Sequence, residues 1–332
     1  MDRRRPRAPE LGSLAAILLL AAAFTQAGEA PLRAQRWLAA GTDPIRALSR
    51  EPTECLAPPQ APERALSMEI GRVAFRSPTV LGGQAARAGL SCEACHRAGR
   101  TNPAFVFPGV SGPPGTADVT DSLFSTHRGD DVFNPKPIPD LSGPKARLKI
   151  DQASQGRALE GFIHGLVTEE FDGAEPPRAV LQGLADYVRA LSPDACPRGP
   201  GRAVSLGGLM ADVRRAVAAA ETLAARGDRP AAVVMVQAAR ARLFLVDERY
   251  AGPALKPERD RLRAADRALA GIAEALRRDA PDARARLARW RDDARPLEQA
   301  LARQAPRSLF DPRRLAAATP RPADGRLPRG PS

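Results

Sequence analysis

Apolar positions in the second half of the chain recur at steps of three and four residues, the spacing of a single helix face. Four such segments follow one another between residues 203 and 305, separated by short breaks that contain Gly, Pro or Asp. The apolar positions of the first segment are Leu206, Met210, Val213, Val217 and Leu223. Four amphipathic helices with short connections predict an antiparallel four-helix bundle over 203–305.

The first half of the chain has helical spacing only in parts. Residues 63–75 and 152–171 read as amphipathic helices, and apolar positions over 181–191 lie on one helix face before a proline ends it. Residues 101–145 are instead rich in Pro, Gly and Asp, which indicates an extended segment. The whole pattern predicts an all-α protein, with a first domain over 28–199 followed by the helical bundle.

The chain begins with the pattern of an export signal. Four arginines within the first ten residues precede an apolar run over 11–24, and small residues follow it. This order is typical of a signal peptide, here 1–27 with cleavage after Ala27. The alternative is an uncleaved anchor that holds the protein at the membrane. Both readings place the working protein outside the cytoplasm, and we expect a bacterial periplasm.

Composition and charge add two expectations. Aromatic residues make up only 4% of the chain, which favours helices over sandwiches or barrels. Residues 201–332 hold 27 basic and 16 acidic side chains, so most of the net charge of +12 lies there. Export and the lack of interleaved aromatics argue against nucleic acid. A solvated surface is one interpretation, and peripheral contact with a membrane or an acidic protein is the other. Residues 306–332 are expected to form a disordered tail.

A single motif carries the candidate chemistry. Residues 91–96 read Ser-Cys-Glu-Ala-Cys-His and contain C-x-x-C-H, the attachment signature of a c-type haem. Two thiols one helical turn apart, Cys92 and Cys95, can form thioethers with the two vinyl groups on one porphyrin edge. His96 then supplies the proximal iron ligand. The motif occurs once, so we predict one covalent haem c.

The other interpretations of C-x-x-C have less support. A thioredoxin-like redox pair needs a βαβ pattern, which is missing, and a structural zinc site needs a second pair of ligands. The two remaining cysteines, Cys55 and Cys196, stand alone on either side of the predicted haem domain. In an oxidising compartment, they are predicted to form a disulfide.

Residues around the motif resemble a known family over roughly 60–195. The segments that carry the resemblance are Ile70-Gly71-Arg72, Phe75, the motif itself, and Phe133-Asn134-Pro135 to Leu141. They resemble the bacterial di-haem cytochrome c peroxidase and MauG-like family. The helix over 181–191 resembles the last helix of cytochrome c domains, which implies that Tyr187 packs on the haem edge. That family uses two haems in one chain, whereas this chain has one motif.

The second axial ligand is open between three side chains. His164 lies in an apolar setting before the last helix of the predicted haem domain and ranks first. Met68 lies on the helix before the motif, and His127 lies on a polar loop. The remaining possibility is an open or water-occupied position.

These observations predict a monohaem c-type cytochrome that exchanges electrons with a redox partner protein. The missing second motif favours this carrier. The alternative is a peroxidase-like haem enzyme, or a haem-based sensor, with an open sixth position on the iron.

Overall fold

A computed structural model describes residues 32–319, apart from 154–156 and 200. The described chain is mostly helical, which confirms the predicted all-α class. The signal peptide expected over 1–27 lies outside the described residues. Among the helices described, none combines the length and the apolar character needed to cross a bilayer.

Short helices and long irregular connections make up the first half. The helices are α1 Pro44–Ser49, α2 Pro62–Phe75, α3 Pro78–Leu81, α4 Gly83–Arg87, α5 Cys92–Cys95, α6 Ala158–Gly165 and α7 Arg178–Ala190. Several begin with Pro, whose fixed φ suits the first helical turn. A π-helical turn, Leu166–Glu170, continues α6.

The strands are only two residues long and form two antiparallel pairs. They are β1 Arg50–Glu51, β2 Thr116–Ala117, β3 Lys136–Pro137 and β4 Arg202–Ala203. β1 pairs with β4, and β2 pairs with β3 with Thr116 opposite Pro137. The segment from 101 to 144 otherwise has no regular structure, as its Pro and Gly content predicts.

Helices α2 and α7 cross at two glycines. A Cβ at position 71 would overlap the carbonyl oxygen of Gly183, and a Cβ at 183 would lie 2.7 Å from the carbonyl oxygen of Ser67. Only Gly at both positions lets the two backbones approach this closely. The crossing brings Phe75 and Tyr187 together, with ring centroids 5.0 Å apart.

The second half is the predicted four-helix arrangement. Its helices are α8 Leu206–Ala225, α9 Arg229–Arg249, α10 Lys256–Arg277 and α11 Ala283–Gln304. Side chains of Ser205 and Asp228 cap the first two, accepting hydrogen bonds from Gly208 N and Ala231 N. Each helix packs against the next, and α11 returns to α8, so the four helices enclose one core.

One hydrophobic core runs through both halves. Met68 and Tyr187 of the first half belong to the same buried cluster as Met210 and Val236 of the bundle. Helix α2 packs against both α8 and α9. Part of the buried surface of the first half is therefore shared with the bundle, while a separate cluster that includes Phe105, Val110 and Phe124 lies within the first half alone.

The structure differs from the sequence prediction at the start of the expected disordered tail. Helix α12, Pro312–Ala318, follows the bundle, and the side chain of Asp311 accepts hydrogen bonds from the first turn. Leu309 and Leu315 are buried against Leu32 and Leu48. The two leucines order this segment because they cover apolar surface that the N-terminal part leaves open.

Cys55 and Cys196 form a disulfide in the structure, as their positions predict. They are 141 residues apart and join the segment before α2 to the segment after α7. In the chain-entropy model, a closed loop of this length stabilises the folded chain by about 5 kcal/mol.

Candidate functional site

The three motif residues face one cavity. Cys92 and Cys95 begin and end α5, a single helical turn, and His96 follows with its backbone N donating to the carbonyl of Cys92 at 2.7 Å. This turn directs the side chains of all three into a cavity of about 210 Å³. Both cysteines are free thiols and are not joined to each other.

The imidazole of His96 has a fixed orientation. Its Nδ1 lies 3.0 Å from the carbonyl oxygen of Pro139. Because a carbonyl only accepts hydrogen bonds, Nδ1 carries the proton and Nε2 has a free lone pair. Burial also lowers the pKa of His96 to about 4, so the ring is neutral near pH 7. A neutral imidazole with a free Nε2 is the form that binds a metal.

The two thiols are protonated in the folded chain. Burial raises the pKa of Cys92 to about 12 and that of Cys95 to about 12 as well. Since the thiolate is the reactive form of cysteine, both residues are weak nucleophiles once the cavity has closed.

Apolar side chains from several elements line the cavity. Phe75 comes from α2, Phe162 from α6, and Leu184 and Val188 from α7. Two aromatic rings also line the cavity, those of Phe124 in the irregular segment 101–144 and of Phe171 after the π-helical turn. Their ring centroids are 5.4 Å apart. Such a wall excludes water from a flat apolar ligand and leaves few polar groups to orient it.

None of the three predicted second ligands lies at the cavity. Met68 is 1% exposed and packs in the core that joins the two halves. The Nε2 atom of His164 lies 2.7 Å from Glu175, on the outer side of α6. His127 is exposed and pairs with Asp172 at 3.1 Å. The structure thus brings the three motif residues together and separates them from these candidates.

Tyr187 lies behind the cavity wall. It is fully buried, and its hydroxyl donates to Glu54 at 2.8 Å. Its ring packs on Phe75, which does line the cavity. Tyr187 therefore supports the wall from the second layer, whereas the resemblance placed it against the haem edge.

Sequence reasoning did not identify two groups at the site. The carbonyl of Pro139 is a backbone group 43 residues beyond His96, and no residue pattern marks it. Lys149 and Gln152 also line the cavity. The sequence predicted a helix from residue 152, whereas the helix begins at Ala158 and leaves both residues in an irregular stretch before it.

Comparison with family models, with characterised proteins and with solved structures finds no match for this chain. Within the described residues, no group of three or more His, Cys, Asp or Glu side chains has the arrangement to hold a bare metal ion. The candidate donors at the cavity are one imidazole, that of His96, and the free thiols of Cys92 and Cys95. That donor set fits an iron already held by a porphyrin ring.

Proposed function

We propose that the protein is an exported c-type haem protein whose haem is attached through Cys92 and Cys95 and ligated by His96. The observation that carries the proposal is the common orientation of these three side chains into one apolar cavity. Two free thiols, one free imidazole nitrogen and an aromatic wall are together the requirements of a covalently attached haem.

The surrounding residues have defined roles in this proposal. Haem, when bound, supplies a one-electron couple of iron. Pro139 holds the proton on Nδ1 of His96 and so directs Nε2 toward the metal. Phe75 and Leu184 exclude water from the same volume. A dry site with a single fixed imidazole sets the potential of the metal through its ligand and its low polarity.

The order of events follows from the thiols. Because both pKa values are about 12 in the folded chain, neither cysteine is activated once the cavity has formed. Since walls from α2, α6 and α7 also surround the motif, we propose that haem enters a chain that is still open, after export and before these walls pack. The disulfide joins the other two cysteines, Cys55 and Cys196, so the thiols of the motif stay free to react with the haem.

Transfer of single electrons to a redox partner protein is the activity that we propose. Phe162 lines the cavity and is 38% exposed, so the cavity reaches the surface beside α6. A partner docked there would approach the haem without any opening of the fold.

Substitution of the motif tests this proposal. The exported wild-type protein is expected to retain its haem absorbance after denaturation and organic extraction, whereas Cys92→Ala with Cys95→Ala loses it. His96→Ala should keep the thioethers and change the spectrum of the iron. The matched control removes the other cysteine pair, Cys55→Ala with Cys196→Ala, and should keep covalent haem. Extractable haem in the wild type would contradict the proposal.

One observation favours a second candidate function, an open sixth position on the iron. Apart from His96, no His or Met side chain in the described part of the chain lines the cavity. An open position would allow a small ligand such as peroxide or carbon monoxide to bind, as in a peroxidase-like enzyme or a sensor. Addition of carbon monoxide to the reduced protein distinguishes the open position from the closed carrier. A rapid shift of the spectrum supports the open position, and an unchanged spectrum supports the closed carrier.

A further inference from the structure

A second cavity lies on the other side of the motif helix. Its volume is about 420 Å³, and Glu93, Ala94 and Arg97 line it. Cys92, Cys95 and His96 line the first cavity instead, so α5 is a wall between the two. Ser91 and Phe105 line both.

The remaining walls come from the N-terminal segment and from α9 of the bundle. Trp37 of the N-terminal segment and Leu245 of α9 contribute apolar surface. Arg33 and Phe244 also line the cavity and are 37% and 42% exposed, with the guanidinium of Arg33 4.3 Å above the ring. This pair marks the side on which the cavity meets solvent.

Arginines outnumber carboxylates five to three among the side chains that line the second cavity. Its charged side chains are Arg33, Arg76, Arg97, Arg242, Arg249, Glu51, Glu93 and Glu248. Most of the arginines have a carboxylate partner: Arg33 lies 3.9 Å from Glu248, and Arg242 lies 3.4 Å from Asp212.

Arg97 and Arg249 differ from the others. Arg97 donates to the backbone carbonyls of Ala47 and Arg50, and Arg249 donates to those of Leu48 and Leu309. Within the described residues, neither guanidinium has a carboxylate at ion-pair distance. Burial lowers the pKa of Arg249 to about 10. Both charges are therefore incompletely compensated.

Three buried polar atoms at this cavity have no hydrogen-bond partner in the described part of the chain. Two are donors, Nε1 of Trp37 and Nε of Arg242, and the third is the acceptor Oε2 of Glu93. Oε2 of Glu93 is 3.8 Å from Nε of Arg76, which is too long for a hydrogen bond. Buried polar groups are normally satisfied, so their convergence on one volume points to a missing polar ligand.

We propose that this cavity binds a small organic anion, a carboxylate with a hydrocarbon body. The carboxylate would accept hydrogen bonds from the free donors of Trp37 and Arg242 and compensate the charge of Arg97 and Arg249, whereas Oε2 of Glu93, an acceptor, would be left to a water molecule. The hydrocarbon body would contact Leu245 and the other apolar walls. Water alone would satisfy the donors without compensating the charge, which is why an anion fits better.

Isothermal titration of the full exported protein with sodium hexanoate tests the proposal. Two reference compounds are titrated in the same way. 1-Hexanol has the hydrocarbon body without the charge, and sodium chloride supplies an anion without the hydrocarbon body. We expect hexanoate to bind at least about tenfold more tightly than either. Equal binding of hexanoate and hexanol, or no binding of hexanoate, would overturn the proposal and indicate a water-filled cavity.

Two variants locate the binding. Arg242→Met should weaken hexanoate by about tenfold. Arg240→Met is its matched control, since Arg240 lies on the same helix and pairs with Asp266 at 2.8 Å away from the cavity. Ala241→Met adds volume at the wall and keeps every charge, and it should also weaken binding while the protein still melts cooperatively. Unchanged affinity in both cavity variants would contradict the assignment.

Discussion

Glu54 shows how single residues hold the first half together. Its carboxylate accepts hydrogen bonds from the guanidinium groups of Arg72 and Arg76 and from the hydroxyl of Tyr187. Burial alone would raise the pKa of Glu54, but Arg76 and Arg72 outweigh it and hold the pKa well below its usual range. Glu54 precedes Cys55 and contacts α2 and α7, so it fixes the helices that form the cavity wall.

Replacement of Glu54 by Gln should destabilise the protein by about 3–5 kcal/mol, because two buried guanidinium groups then lose their carboxylate. Urea unfolding at pH 7 measures the change. Glu63→Gln removes the carboxylate of an exposed pair with Arg226 and should leave the midpoint almost unchanged. Equal effects of the two substitutions would show that the buried cluster does not stabilise the fold.

The contribution of Glu54 should depend on pH in one direction. A carboxylate with a lowered pKa in the folded state stabilises above its unfolded pKa, near 4.5, and this stabilisation is lost as the pH falls toward the folded value. The difference in unfolding free energy between wild type and Glu54→Gln should be constant above about pH 5.5 and shrink at about pH 3. A difference that grows on acidification would contradict this account.

At the residue scale, the sequence predicted the groups that a motif defines and missed those that only the fold brings together. Cys92, Cys95 and His96 are adjacent in the chain, and their chemistry can be read from their spacing. The carbonyl of Pro139, by contrast, contacts His96 only because the irregular segment between them folds back, and no residue pattern predicts that path. The expected second ligands failed to reach the cavity for the same reason, since Met68 turns toward the bundle and His164 toward solvent.

At the scale of elements, the spacing of apolar residues predicted where helices form, but it did not predict which helices pack against each other. The four bundle helices and the helices around 62–75 and 178–190 agree with the apolar pattern to within a few residues. The apolar pattern does not predict that α2 crosses α7. That crossing depends on Gly71 and Gly183, which are single residues without a periodic signal.

Gly71→Ala should therefore destabilise the protein by about 3 kcal/mol, because its Cβ would overlap the backbone of α7. Thermal melting measures the effect. Gly161→Ala is the matched control, since Gly161 lies in α6 with no atom within 4 Å of an added Cβ. That substitution should stabilise by about 0.5–1 kcal/mol. A tolerated Gly71→Ala would mean that the two helices can move apart.

At the scale of the molecule, the bundle completes the core of the first half, and several of its arginines form ion pairs within the bundle. Arg214 pairs with Glu298, Arg229 with Asp279, and Arg291 with Glu221. The net surplus of basic side chains over 201–332 remains after this pairing, so a solvated surface and a docking face both stay predictions. Peripheral contact with a membrane or an acidic protein stays a prediction without a contact to support it.

Removal of the bundle should unfold the first half, which holds the motif and its cavity. A chain that ends at residue 199 loses the partners of Met68 and Val73 in the shared core. We expect the truncated chain to bind a hydrophobic dye and to melt without cooperativity. The full chain should melt cooperatively and leave the dye unbound. A truncated chain that melts cooperatively would show that the first half closes its own core.

The most direct test of the central claim is the intact mass of the exported wild-type protein under denaturing conditions. The account predicts the mass of the processed chain plus one haem, with the addition lost in Cys92→Ala with Cys95→Ala. A mass equal to the polypeptide alone, from cells that attach haem to other exported proteins, would contradict it.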